Sequence, residues 1–283
     1  MFQFACGQAL GAKTKQKVVY YSDSRSSYAT VRSLELENAF GITLPTALPE
    51  DITAMIGRWR SAPTMRRALA KQPAAFLRGR RFVVEKNFTF VTDLSTRVRD
   101  GAYVHGYWQS EEYFKAHGAA IRQVFRFRNG VGSDNNALIS RISSGPSIAI
   151  HVRRGDYVSN PKALKVHGVL SPDYYLLAIS RIRALEPDAR VFAFSDDPEW
   201  LREVILSRID NSECVLHNSG TQSFRDMQLM SICDHIVIAN SSFSWWAAWL
   251  NNNSKKRVIA PIRWFADPKM DGNHVVPNAW ERI

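Results

Sequence analysis

The amino-acid sequence predicts an α/β protein whose second half is a doubly wound parallel sheet. Two observations carry this. From Ser147 to Ala260, apolar runs of a few residues alternate with helical stretches, the pattern of βαβ units with right-handed crossovers. The chain has 283 residues, 45% of them hydrophobic, enough core for two domains at roughly 100–200 residues each.

The elements follow in order. A helix is expected over 5–12, a strand over 17–21, then a Ser-rich loop. A basic helical stretch covers 54–77, broken by Pro63 and Pro73, since proline lacks the helical donor. Short aromatic strands are expected at 81–85 and 102–107, and a helix at 111–125. The segment 129–146 holds Gly130, Gly132, Gly145 and Pro146 and reads as a boundary. It divides the chain into domains 1–143 and 144–283. The second domain then reads strand 147–152, helix 171–186, strand 190–194, helix 198–208, strand 213–217, helix 223–233, strand 235–239, helix 243–251 and strand 257–260. Ser171 stands as N-cap with Pro172 at the first helical place.

Composition narrows the class. No stretch reaches the ~18 uninterrupted apolar residues of a membrane span. The first dozen residues have no basic leader, so no secretory signal is expected. Cys6, Cys214 and Cys233 are scattered and odd in number, which excludes a disulfide framework and a cysteine-rich zinc site. A cytoplasmic location is the default. The net charge of +11 favours an anionic partner. Eight Lys/Arg and no acid lie between residues 58 and 81. The plainest account is a solvated helix face; the functional one is peripheral contact with an anionic membrane leaflet. Nucleic acid comes third, and no recognisable binding motif supports it.

Ligands of an open parallel sheet bind beyond the carboxyl ends of its strands, and three such ends are chemically loaded. The first is H-V-R-R-G-D-Y at 151–157. Strand alternation puts Arg153 on the side of His151 and Arg154 on the other. Arginine presents a planar fork suited to phosphate or carboxylate, and Asp156 stands beside the pair. An ion pair bracing the loop would explain one arginine; the whole cluster favours a site. The second is F-S-D-D-P at 194–198, where Asp196 or Asp197 caps the helix opened by Pro198. The other is placed to accept from a ribose hydroxyl or a guanine edge. The third is A-N-S-S-F-S-W-W at 239–246. Asn240, Ser241, Ser242 and Ser244 surround a helix N-terminus, a phosphate cradle without P-loop glycines. A cap at Asn240 or Ser241 is the bland alternative, and Trp245, Trp246 and Trp249 read as core. Asp226, in the first turn of the preceding helix, suits either the helix dipole or the N–H edge of guanine. Neither G-x-x-x-x-G-K-[ST] nor G-x-G-x-x-G occurs, and no D-x-D in these loops offers a divalent-cation site. His105 and His117 read as ordinary histidines.

These residues resemble a known family. H-V-R-R-G-D-Y, D-M-Q-L-M at 226–230, A-N-S-S-F-S-W-W-A-A-W-L at 239–250 and A-P-I-R-W-F at 260–265 are similar, in that order, to bacterial α-1,2-fucosyltransferases of glycosyltransferase family 11. G-Y-W-Q-S-E-E-Y-F at 106–114 and A-W-E-R-I at 279–283 resemble further segments, so the likeness spans nearly the whole chain.

The resemblance implies a GT-B fold: two Rossmann-like domains with parallel sheets facing a central cleft, the first on the acceptor side and the second binding a GDP-sugar. It implies an inverting, metal-independent enzyme without cofactor. GDP-L-fucose would be the donor and a galactosyl hydroxyl of a bacterial surface glycan, such as a lipid-linked O-antigen saccharide, the acceptor. Arg153 would bind the β-phosphate with Ser242, His151 and Asp226 would contact the nucleoside, and Arg154 would brace the loop or the pyrophosphate. Asp156 is the candidate base. The family opens with a strand and G-G-L-G-N-Q-M-F-Q-Y-A, of which residues 1–5 match only the end. Gln3 is carried over from that motif as a substrate contact, while the first strand and glycine loop are expected to be missing. Two alternatives therefore stay open: transfer with another linkage or GDP-sugar, and a catalytically impaired nucleotide- or glycan-binding remnant.

Overall fold

A computed structural model of the chain describes residues 1–21, 35–128, 130, 133–216, 218 and 220–283. It falls into two compact units, Met1–Val124 and Phe125–Ile283. The expected Ser-rich loop lies outside the described residues.

The first unit opens with the helix Phe2–Thr14, which buries Phe2, Phe4, Ala5, Cys6 and Ala9. The segment expected as a strand at 17–21 makes only one parallel bridge, Tyr20 with Thr46. It packs instead on the helix. The Tyr20 hydroxyl donates to Phe4 O at 3.1 Å, and a Cβ added to Gly7 would stand 2.6 Å from that hydroxyl.

The basic stretch breaks at Gly57 and where its prolines fall, into helices Pro49–Ile56, Arg58–Ser61 and Pro63–Ala70 and the 3-10 helix Gln72–Leu77. Three of its cations build the fold. Arg78 donates to the carbonyls of Leu69, Ala70 and Lys71, satisfying helix-end acceptors. Arg60 Nε donates to Leu77 O at 2.8 Å. Arg66 is buried, its guanidinium 4.0 Å from the centre of the Tyr21 ring.

Strands β1 (Phe82–Val84) and β2 (Tyr103–His105) pair in parallel. This two-stranded sheet is smaller than the Rossmann-like domain expected here. The expected helix at 111–125 is two 3-10 turns, Glu111–Tyr113 and Lys115–His117, followed by helix Gly118–Val124.

The second unit begins earlier than the expected boundary at 143/144. Its helix Ser133–Ile142 buries Leu138 and Ile142, and Arg141 forms a forked pair with Glu213 at 3.0 and 2.6 Å. That apolar spacing was hidden among glycines and asparagines.

Then follow β3 (Ser147–Val152), β4 (Arg190–Ser195), β5 (Ser212–Val215), β6 (His235–Val237), β7 (Val258–Ala260) and β8 (Glu281–Arg282). All are parallel, in the order β5-β4-β3-β6-β7-β8. Every residue of β3 is buried, as a central parallel strand requires. The expected helix at 198–208 is a short α-turn, a π-turn at Leu201–Ile205 and a 3-10 turn. Helix Ser242–Leu250 drives Trp245, Trp246 and Trp249 into the core, and Trp245 Nε1 donates to Val275 O at 2.7 Å. Among the described residues no helix is long and apolar enough to cross a membrane.

Helix Pro172–Arg183 is stitched to the sheet by a buried hydroxyl. Tyr174 donates to Ile238 O at 2.7 Å and is shared with Ile259 O at 3.2 Å. Replacing Tyr174 by Phe keeps the ring and leaves those carbonyls short of a donor. Urea unfolding should then show a loss of about 1–2 kcal/mol at unchanged m-value.

Candidate functional site

The register of the central strands assembles the site. His151 of β3 lies opposite Phe194 of β4, and Val152 opposite Ser195. The chain therefore delivers Arg153 and Arg154 beside Asp196 and Asp197. Arg153 is held between two carboxylates: NH2 meets Asp156 Oδ1 at 2.5 Å and NH1 meets Asp196 Oδ2 at 2.8 Å. Arg154 Nε meets Asp197 Oδ2 at 3.0 Å, its backbone N–H donates to Asp196 Oδ1 at 2.8 Å, and its guanidinium lies 4.0 Å from the centre of the Trp200 ring. Both arginine side chains are only 18% exposed. Asp197 also caps the next helix, accepting from Trp200 N–H at 3.3 Å. Gly155 is required by packing, because a Cβ there would come within 2.6 Å of Asp196 Oδ2.

Tyr157 ties this loop to the third strand end. Its ring centre lies 5.5 Å from the Arg153 guanidinium, and its hydroxyl donates to Asn240 O at 3.2 Å. The same ring stacks on His167 at 4.6 Å, and Asn240 Nδ2 returns a bond to His167 O at 2.7 Å. The His151 ring sits 5.4 Å from that of Phe243, in the first turn of helix Ser242–Leu250.

The four polar residues of that turn divide sharply. Asn240 is buried and donates to His167 O and Trp264 O. Ser241 is the N-cap, accepting from Phe243 N–H at 3.3 Å. Ser244 is buried and donates to Ser241 O. Ser242 is the exposed hydroxyl, set at a helix N-terminus whose N–H groups favour an anion.

Electrostatics keeps His151 neutral. Burial pushes its imidazole down to about 4, Asp196 opposes the shift and Arg153 reinforces it. Its Nδ1 is buried with no hydrogen-bond partner among the described residues. His167 is lowered as well, mainly by burial.

Asp226 belongs to a second cluster, in helix Phe224–Met230. It accepts from Asn218 Nδ2 at 2.7 Å, and Asn218 exchanges reciprocal amide bonds with Asn135 at 3.1 Å. Burial pushes its carboxyl up to about 7 against the lowering effect of Asn218. Gln3 lies in the first unit, its amide donating to Gly106 O at 2.7 Å.

Sequence reasoning missed His167, Trp200, Asn135 and Asn218, and gave Tyr157 no role. Trp200 alone had a local signal, one turn after the Asp-Asp-Pro helix start. The others meet the site through tertiary packing.

Residues 77–283 match the family described as glycosyl transferase family 11. An alpha-1,2-colitosyltransferase of Escherichia coli is 35% identical over 77% of this chain and 73% of its own length. The O-antigen biosynthesis glycosyltransferase WbnK of Escherichia coli is 32% identical over 94% of this chain and 91% of its own. Among solved structures, the fucosyltransferase NodZ from Bradyrhizobium shares the fold, with a TM-score of 0.52 at 17% identity over 87% of this chain and 86% of that one. With most of its length matched in this way, the chain belongs to glycosyl transferase family 11, a family that takes a nucleotide-sugar donor and a glycan acceptor.

Proposed function

We propose that the chain transfers L-fucose from GDP-L-fucose to a galactosyl hydroxyl of a bacterial surface glycan, in α-1,2 linkage, with inversion and without metal, as a GT-B enzyme. The observation that carries this reading is the pair of guanidiniums fixed at the end of β3, tied through Tyr157 to the Ser242 turn. Arg153 and Ser242 would bind the β-phosphate. As GDP departs its charge grows, and a fixed guanidinium stabilises that charge without reorganising. Arg154, braced by Asp197 and Trp200, supports the diphosphate. His151, uncharged and with an unused Nδ1, suits the nucleoside, and Asp226 suits the donor edge of guanine. Asp156, held by its pair with Arg153, is the proposed acceptor of the hydroxyl proton. A loose, oxocarbenium-like transition state lowers the demand on that base.

A second reading differs only in the sugar. A relative named for colitosyl transfer, 35% identical to this chain, supports a colitosyl donor. A panel of GDP-sugars with linkage analysis of the product separates the two. Transfer of neither sugar would sink both.

Peripheral contact with an anionic leaflet belongs to the same proposal. Trp59 is 50% exposed and Phe76 83%. The two are linked through Arg60, whose guanidinium lies 5.6 Å from the Trp59 ring centre while its Nε meets Leu77 O. Exposed Arg58, Lys71, Arg80 and Arg81 lie in the same stretch. Apolar tips amid cations suit an anionic interface.

Three outcomes are expected. Arg153→Ala lowers the transfer rate by about 10²–10³-fold and weakens GDP binding, and Arg153→Lys recovers only part, because a point charge replaces a fork. Retained transfer by the alanine variant would defeat the assignment. The second concerns acid. The folded imidazole of His151 titrates near 4 and an unfolded one near 6.5, so the unfolded chain takes up a proton that the folded chain refuses. Stability therefore falls as pH drops through that window, by about 2–3 kcal/mol. Urea titrations at pH 7 and pH 4.5 should show a shallower loss in His151→Gln. Third, vesicles containing phosphatidylglycerol should sediment the protein at low salt. Phe76→Ser with Trp59→Ser should abolish this, and equal sedimentation would remove the membrane claim.

A further inference from the structure

The segment Gly106–Phe114 is not used by the donor chemistry, yet it holds a tryptophan in the left-handed backbone region. Strands β1 and β2 are parallel, and both of their outgoing loops leave ordinary backbone space. After β1, Asn87 and Phe88 have φ of 50° and 62°; after β2, Trp108 has φ of 57°. Asparagine adopts this conformation readily, but at Phe88 and Trp108 it costs about 1–3 kcal/mol each and persists only where surrounding structure enforces it.

The enforcing contacts are specific. The carboxylate of Glu85 accepts from Tyr107 N–H at 2.7 Å and from Trp108 N–H at 3.0 and 3.1 Å. Gly106 lies against it so closely that a Cβ would stand 2.5 Å from Glu85 Cβ. Gln3 clasps Gly106 O. Trp108 is buried edge-on to Tyr113, and Val91 N–H donates to the Tyr113 hydroxyl at 2.9 Å, which fixes the β1 loop as well. All of this presents one surface feature. The Tyr107 ring, in a residue 53% exposed, is stacked on Phe88 at 5.2 Å with 12° between planes. Lys86 and Asn87 stand exposed beside it.

We infer that the Tyr107–Phe88 pair is the acceptor-sugar subsite, a platform on which the apolar face of a β-galactoside stacks, with Glu85 and Gln3 as positioning residues. The inference rests on the proposed transferase reading for the identity of the acceptor. One face of galactose carries a patch of C–H bonds, electropositive and apolar, that matches the negative face of an aromatic ring. Lys86 and Asn87 offer partners for hydroxyls at the rim. The position agrees with ligand binding beyond the carboxyl ends of parallel strands, and a rigid turn limits the entropy lost on binding.

Binding of methyl β-D-galactopyranoside to the full chain, measured by ligand-observed NMR, tests this without any need for turnover. The wild type binds; Tyr107→Ala weakens binding about tenfold or more; Tyr107→Trp stays close to wild type; and GDP affinity is the same in all three. Glu85→Gln, aimed at the positioning carboxylate, weakens the galactoside severalfold while leaving GDP affinity alone, a split between ligands that general unfolding would not give. Equal binding by the wild type and Tyr107→Ala would overturn the inference, as would no binding by the wild type or parallel loss of GDP. A wild type that binds galactoside through Tyr107 yet transfers no sugar from GDP-fucose would count against the donor reading and leave the platform standing.

Discussion

Two guanidiniums that follow one another at the end of a buried strand must be compensated, and that requirement organises the second unit. At an effective dielectric of ~20, unit charges about 4 Å apart interact by roughly 4 kcal/mol. Three aspartates supply the compensation, and they arrive by two routes. Asp196 and Asp197 come from the neighbouring strand, whose parallel register brings its end level with that of β3. Asp156 comes from the turn after Gly155. Gly155 has to be glycine for Asp196 to come close enough, and Asp197 has to precede a helix start to serve as both cap and counter-ion. A change in the register of β4 would move both carboxylates and leave a half-buried charge uncompensated, which is far costlier than losing a surface pair.

The same arithmetic explains why the neighbouring imidazole is neutral. His151 is buried, and its proximity to Arg153 adds to the cost of a third positive charge. The imidazole thus adds no positive charge to a strand end where two arginines already face three aspartates, and the first turn of helix Ser242–Leu250 lies beside it.

Much of this could be read from residues, and the limit of that reading has a physical cause. The alternation of strands and helices beyond Pro146 and the Ser171 cap were legible because they depend on neighbours in sequence. That the three loaded strand ends lie along one edge of the sheet was legible too, since parallel topology alone places them there. The division of labour was not. Asn240, Ser241, Ser242 and Ser244 look alike as a string, yet three face inward to hold the turn and one stays at the surface. Only the direction of each Cα–Cβ bond decides that. The segment at 17–21 has the composition of a strand, but packing against helix Phe2–Thr14 prevailed. The eight cations between residues 58 and 81 read as one charged face, whereas Arg60, Arg66 and Arg78 serve carbonyls and rings of the fold. Charge counted along a sequence overstates charge offered to a partner.

The kinds of group gathered in the second unit limit what they could discriminate. On the proposed reading, forked guanidiniums, a helix N-terminus and a neutral imidazole would hold a diphosphate and a base, groups common to many sugar donors. None of them reads the hydroxyl pattern of the transferred sugar. A site that hydrogen-bonds a particular hydroxyl rejects the analogue lacking it by roughly 10⁴–10⁵, whereas an apolar wall hardly distinguishes them. On the proposed reading, the choice between a fucosyl and a colitosyl donor, sugars that differ by one hydroxyl, would therefore reside in polar groups outside the arginine network. The arginine motif would then grip the part of the donor that the two sugars share, and leave specificity to side chains whose positions the motif does not fix.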